Sequence, residues 1–186
     1  MDYRELAGNS VSLLGYGCMR FPTNEAGEID EPRAEKLLLR AYEQGVNYFD
    51  AAWPYHSGKS EPFVGKVLSK LDRDSFYIAT KLPVWTIESL DQAKEVFNTQ
   101  LEHLQTDHVD YYLLHSLDEA KWQKVLDLGI LPFLEEQQRL GRIKKLGFSF
   151  HRRIFRIFDQ ILGRFLLRVF PISQFFITDN LSLIHI

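Results

Sequence analysis

Gly45-Val46-Asn47-Tyr48-Phe49-Asp50-Ala51-Ala52-Trp53-Pro54-Tyr55 is a short apolar run that ends on a carboxylate, turns at a proline and then presents a phenol. The run Val46–Phe49 is short and rich in β-branched and aromatic residues, which suits a buried parallel strand. Three further runs have the same form. Phe76–Thr80 ends at Lys81, Val109–Leu114 ends at His115, and Lys145–Phe148 ends at Ser149. An earlier run, Ser12–Gly17, ends near Arg20. The polar ends fall at 20, 50, 81, 115 and 149, in steps of 30, 31, 34 and 34 residues. A step of that size holds one strand and one helix with little to spare.

Helical stripes fill the gaps. Ala34, Leu37, Leu38, Ala41 and Tyr42 share a face between Pro32, suited to a first turn, and Gly45, suited to a C-terminal cap. Ser60 is expected to cap a second helix with Pro62 in its first turn. Leu90, Ala93, Phe97, Leu101 and Leu104 form a third stripe, and Leu131–Leu140 reads as the end of a fourth helix stopped by Gly141. Upstream, Tyr3–Leu13 reads as a small hairpin turning over Gly8-Asn9-Ser10.

By length alone, 186 residues suit a five-stranded doubly wound sheet and fall short of the roughly 250 of an eight-stranded α/β barrel. The motifs argue the other way. The turn Gly15-Tyr16-Gly17-Cys18-Met19-Arg20 has Arg20 where a dinucleotide fingerprint needs its third glycine. Gly58-Lys59-Ser60 resembles the end of a triphosphate loop, but its first glycine would fall on Trp53. Barrel enzymes instead gather their chemistry at the C-terminal ends of several strands, where Asp50, Lys81 and His115 stand.

Those three residues and Tyr55 form a coherent chemical set. A phenol, with an ordinary pKa of about 10, is a poor proton carrier at neutral pH. A neighbouring ammonium favours the phenolate, and a carboxylate keeps that ammonium charged and fixed. An imidazole across the pocket can hold a substrate oxygen. Singly, Asp50 reads equally as a turn cap, Lys81 as a snorkelling surface cation and His115 as a hydrogen-bonded core residue. Their joint spacing favours a site for proton transfer to a carbonyl oxygen.

At these residues the sequence resembles the aldo-keto reductase family. The matching pieces are Gly15–Arg20, Gly45–Tyr55, Ala79-Thr80-Lys81, Val109–His115 and Gly141–Ser149, and the resemblance runs over residues 3–151. Gly147-Phe148-Ser149-Phe150-His151 is similar to bacterial members, many of which carry a C-terminal iron–sulfur module. The resemblance implies an α/β fold, a (β/α)8 TIM barrel, here incomplete at about five to six units and preceded by a short β-hairpin. It implies reduction of aldehydes or ketones, small-molecule carbonyl substrates, with NADPH or NADH. In that reading Tyr55 is the general acid, Lys81 lowers its pKa, Asp50 holds Lys81 and His115 orients the carbonyl. Gly17, Cys18, Met19 and Asp50 lie near the nicotinamide, and Ser149 meets its carboxamide. Trp53 replaces a small residue more usual in this loop. The family's contacts to the cofactor's adenine and 2′-phosphate come from the seventh and eighth units. The isolated chain is therefore expected to be inactive. An alternative is a non-catalytic binding or regulatory subunit on the same barrel, against which the intact set of four argues.

Composition sets outer limits. The chain is 45% apolar and 25% charged with a net charge of −3, ordinary for a soluble globular protein. No nucleic-acid or membrane partner is expected. One cysteine, Cys18, excludes an internal disulfide and a thiolate cluster built within these residues. Cys18 also reads as a small packed hydrophobe. His103 and His108 lack a third ligand, so no metal is expected, and His56 is expected to serve its loop. No apolar leader stands at Met1–Leu6, which makes the cytoplasm the default. Residues 152–186 contain no Lys or Glu but five Arg and six of the fourteen Phe. Net charge is −6 over residues 1–150 and +3 thereafter. This seam divides a barrel portion, 1–150, from a tail, 151–186. The tail reads either as a fifth helix and sixth strand or as frame-shifted sequence, its last six residues resembling a translated sequencing adapter.

Overall fold

A computed structural model describes residues 1–150. The expected tail over 151–186, the Arg152-Arg153-Arg156 cluster and His151 lie outside the described residues.

The chain opens with a hairpin of β1 (Tyr3–Leu6) and β2 (Asn9–Ser12). Its turn is Ala7-Gly8, both left-handed (φ 52° and 87°), one position earlier than the Gly8-Asn9-Ser10 turn expected. A two-residue turn with both φ positive matches the twist of paired strands, and Gly8 adopts it without steric conflict.

Five parallel strands follow: β3 (Tyr16–Gly17), β4 (Tyr48–Asp50), β5 (Tyr77–Leu82), β6 (Val109–Leu117) and β7 (Ile143–Phe150). Helices alternate with them: α1 (Glu31–Glu43), α2 (Ser60–Leu68), α3 (Leu90–Leu104), then α4 (Glu119–Asp127) and α5 (Ile130–Arg139) before β7. Spatial order equals chain order, β3-β4-β5-β6-β7, every neighbour parallel. A doubly wound sheet reverses direction at a switch point. One-way winding without a reversal is the arrangement of a (β/α)8 barrel, of which these are five consecutive strands.

Period-two alternation assigns the two faces. Phe49, Ile78, Tyr112 and Leu114 are buried with Leu38, Val64, Phe97 and Leu134 of the helices in the main core. The other face carries Tyr48, Tyr77, Ala79 and Tyr111, closed by Val11 of the hairpin. Asn9 Nδ2 donates to the Tyr111 hydroxyl (2.9 Å), which donates to Leu6 O (3.0 Å). Ser12 and Asn47 exchange hydrogen bonds of 2.7 and 3.1 Å. The hairpin thus seals the N-terminal end of the strands and leaves chemistry to the opposite end.

Local chemistry explains the boundaries. Asp30 caps α1 by accepting from Arg33 N (3.3 Å), Ser89 caps α3 from Gln92 N (3.2 Å) and Asp118 caps α4 from Lys121 N (2.9 Å). Ser60 does not cap α2. Its hydroxyl donates to Cys18 O (2.8 Å), tying the helix to the segment after β3. The single fourth helix expected is two helices, split where Gly129 adopts φ 68°. Among the described residues no helix is long and apolar enough to cross a membrane.

Candidate active site

Asp50 is the last residue of β4, and Lys81 and His115 lie near the ends of β5 and β6. They occupy the inward face, Asp50 one step beyond Tyr48, Lys81 one step beyond Ala79 and His115 two steps beyond Tyr111. Asp50 and Lys81 are buried, with side chains each 7% exposed. The Lys81 ammonium donates to Asp50 Oδ2 (2.8 Å), to Ala51 O (2.8 Å) and to the Tyr55 hydroxyl oxygen (3.2 Å). An ammonium has three protons, so all of them are committed. Burial works against the charge on Lys81, but Asp50 and Tyr55 outweigh it, and the pKa is raised. The Tyr55 oxygen is an acceptor in this arrangement, so its own proton is left to be given elsewhere.

Tyr55 begins a short 3₁₀ turn, Tyr55–Gly58, after Pro54. His56, Ser57 and Gly58 are all left-handed, with φ of 51°, 53° and 84°. Two such non-glycine residues in succession store strain that the surroundings must hold. His56 Nε2 supplies part of that hold by accepting from Phe21 N (3.0 Å). Burial, opposed by a backbone hydrogen bond at Met19, lowers the His56 pKa, in keeping with this acceptor role. His56 therefore serves the loop.

His115 is buried, and its ring stands edge-on to Tyr55 (centroids 6.2 Å, 86°) and 5.0 Å from Trp85, which is exposed. Tyr55 thus stands between Lys81 and His115, with Trp85 forming an outer wall. A register shift near the end of β6, where Ser116 has φ 52°, bends the strand beside the site. Ser116 N donates to Ser149 Oγ on β7 (2.7 Å), which leaves the Ser149 hydroxyl proton available to a ligand.

Gly17 pairs with Asp50 across β3 and β4, and Cys18 N donates to Asp50 O (2.9 Å). The Cys18 side chain is fully buried in the main core. Burial first, and then Asp50, push its thiol far above the ordinary range against a smaller opposing effect of Lys81. Cys18 is a packed neutral thiol that offers a ligand only its backbone. Met19 is exposed at 40% and can.

Sequence reasoning missed four contributors. Ala51 acts through its carbonyl, which no residue type announces. Trp85 follows Lys81 by four residues in a non-periodic segment. Glu61 and Gln100, fully buried beneath Lys81, sit on the otherwise apolar faces of α2 and α3. A polar residue within an apolar stripe was the available signal.

The model of the Aldo/keto reductase family matches residues 13–158. This chain belongs to the aldo/keto reductase family. It is 30% identical over 150 residues to the probable aldo-keto reductase 1 of Glycine max, covering 76% of this chain and 42% of that protein. The solved aldo-keto reductase AKR11C1 of Bacillus halodurans, in its holo form, superposes with a TM-score of 0.70 at 32% identity, covering 91% of this chain and 55% of that one. An aldo-keto reductase of Klebsiella pneumoniae, solved with NADPH, shares the fold (TM-score 0.66, 24% identity, 83% and 50% coverage). The chain thus spans about half the length of these relatives.

Proposed function

We propose that the protein to which this chain belongs reduces aldehydes or ketones to alcohols, with a nicotinamide cofactor as hydride donor and Tyr55 as general acid. The observation that carries this reading is the Tyr55 hydroxyl, which accepts from Lys81 and so directs its own proton outward. As the carbonyl oxygen gains charge, Tyr55 donates that proton to it. Lys81, charged and held by Asp50 and Ala51 O, stabilises the phenolate left behind. His115, beside Tyr55, orients the same oxygen. Trp85 restricts water on the open side.

The donor set fits a nicotinamide. Ser149, with a free hydroxyl proton, would hold the carboxamide, and Gly17, the Cys18 backbone and Met19, beside Asp50, would hold the ring. When bound, that cofactor supplies the hydride. The NADPH in the Klebsiella relative makes NADPH the first cofactor to test. Assayed alone, the 186 residues are expected to be inactive, because β3 and β7 are paired on one side only among the described residues.

The test is oxidation of NADPH by the full-length protein with a panel of aliphatic and aromatic aldehydes and ketones. Stoichiometric alcohol formation supports the reading. Cofactor binding without turnover across the panel overturns it.

A further inference from the structure

Beneath Lys81 lies a second group of ionisable side chains that the proposed chemistry does not use. Glu61 of α2 is 1% exposed. Its Oε1 accepts from Thr80 Oγ1 and from Gln100 Nε2 (2.7 Å). Gln100 in turn donates to Lys81 O (3.1 Å) and accepts from the Tyr112 hydroxyl of β6 (2.7 Å). The carboxyl is therefore fixed to the strand end that carries Lys81. Its other oxygen, Oε2, is buried without a hydrogen bond and faces His103 Nδ1 of α3, itself buried without a hydrogen bond, at 3.9 Å. The imidazole of His103 stacks on Trp53 (centroids 5.8 Å, 15°). Trp53 lies in the loop between Asp50 and Tyr55.

A close helix contact creates this arrangement. A Cβ on Gly65 would fall 2.1 Å from His103 O and 2.7 Å from Leu104 C, so only glycine lets α3 approach α2 this near. Gly65 is one turn beyond Glu61, which sets the carboxyl under His103. We propose that Glu61 and His103 share one proton and act together as a positioning pair for the Tyr55 loop, with the ring of Trp53 as the link. Two unpaired atoms at 3.9 Å are too far apart for a hydrogen bond and near enough to close one around a proton. Burial pushes Glu61 up to about 7, against the hydrogen bonds from Thr80 and Gln100 and the attraction of Lys81, so the proton is exchanged near neutrality. From the remaining side, α1 meets α2 through the exposed pairs Lys66–Glu31 and Lys70–Glu35, where solvent screens their charge. Charge on the imidazole strengthens its stacking on the indole and tightens the loop.

The inference rests on the Asp50–Tyr55 loop being the acid-bearing loop. The full-length protein is titrated from weakly acid to weakly alkaline pH while the Trp53 emission is followed, as the part lost in Trp53→Phe. A protonated imidazole quenches an indole stacked on it. Wild type is expected to show one reversible transition near neutrality, and kcat/KM to change by roughly 2- to 5-fold at the same midpoint. His103→Phe keeps a flat ring on Trp53 and should lose both transitions. Glu61→Gln keeps the Thr80 contact and should displace the midpoint. An unchanged midpoint in Glu61→Gln, or a transition that survives in His103→Phe, overturns the proposal. The expected emission behaviour in a protein that reduces no carbonyl leaves the pair standing and overturns the proposed function alone.

Discussion

Replacing Glu61 with glutamine should make the protein's stability less dependent on pH. Folding raises the Glu61 pKa from its ordinary 4.5 to about 7, chiefly because burial penalises the charged carboxylate. Between those values the folded protein holds a proton that the unfolded chain has released. Stability therefore falls as pH rises, and the loss is complete once pH passes the folded value. At about 1.4 kcal/mol per tenfold change in proton affinity, the loss is about 3 kcal/mol. Glutamine can still accept from Thr80 and carries no charge at any pH. The stability of Glu61→Gln relative to wild type should then be near zero below pH 4.5 and should grow to about 3 kcal/mol in the variant's favour above pH 7. Urea unfolding of both full-length proteins across this range, followed by far-ultraviolet circular dichroism, measures the difference. A difference that stays flat within about 1 kcal/mol, or that turns against the variant as pH rises, would show that folding does not raise the proton affinity of Glu61.

Two further substitutions probe the site and its frame. Lys81→Met, which removes the ammonium from beneath Tyr55, should lower turnover by about 100- to 10,000-fold with cofactor affinity nearly unchanged, read by steady-state kinetics and cofactor fluorescence. Gly65→Ala forces a methyl group against the α3 backbone and should destabilise by about 1–3 kcal/mol or more, seen as a lowered Tm.

The inward face of the sheet was legible because a strand end is punctuated. Asp50, Lys81 and His115 each follow an apolar run, and their steps point to the barrel even though chain length alone favours a doubly wound sheet. Elements held together by distant partners were less legible. The run Ser12–Gly17 looks like one strand, yet Ser12 belongs to the hairpin and only Tyr16–Gly17 pair with β4. Asn47 captures Ser12 from 35 residues away, and nothing near Ser12 announces it. α4 escaped notice because it buries only Trp122 and Val125, too few to mark a period. Ser60 has the chemistry of a helix cap, but the carbonyl of Cys18 takes its proton. Cys18 stands beside the candidate site in sequence, while its side chain turns into the core.

Everything proposed for the site turns on Tyr55 delivering the proton. Tyr55→Phe keeps the ring between Lys81 and His115 and removes only the hydroxyl. In the full-length protein, NADPH binding should persist while carbonyl reduction falls below about a hundredth of wild type. Substantial reduction by that variant would show that another group delivers the proton.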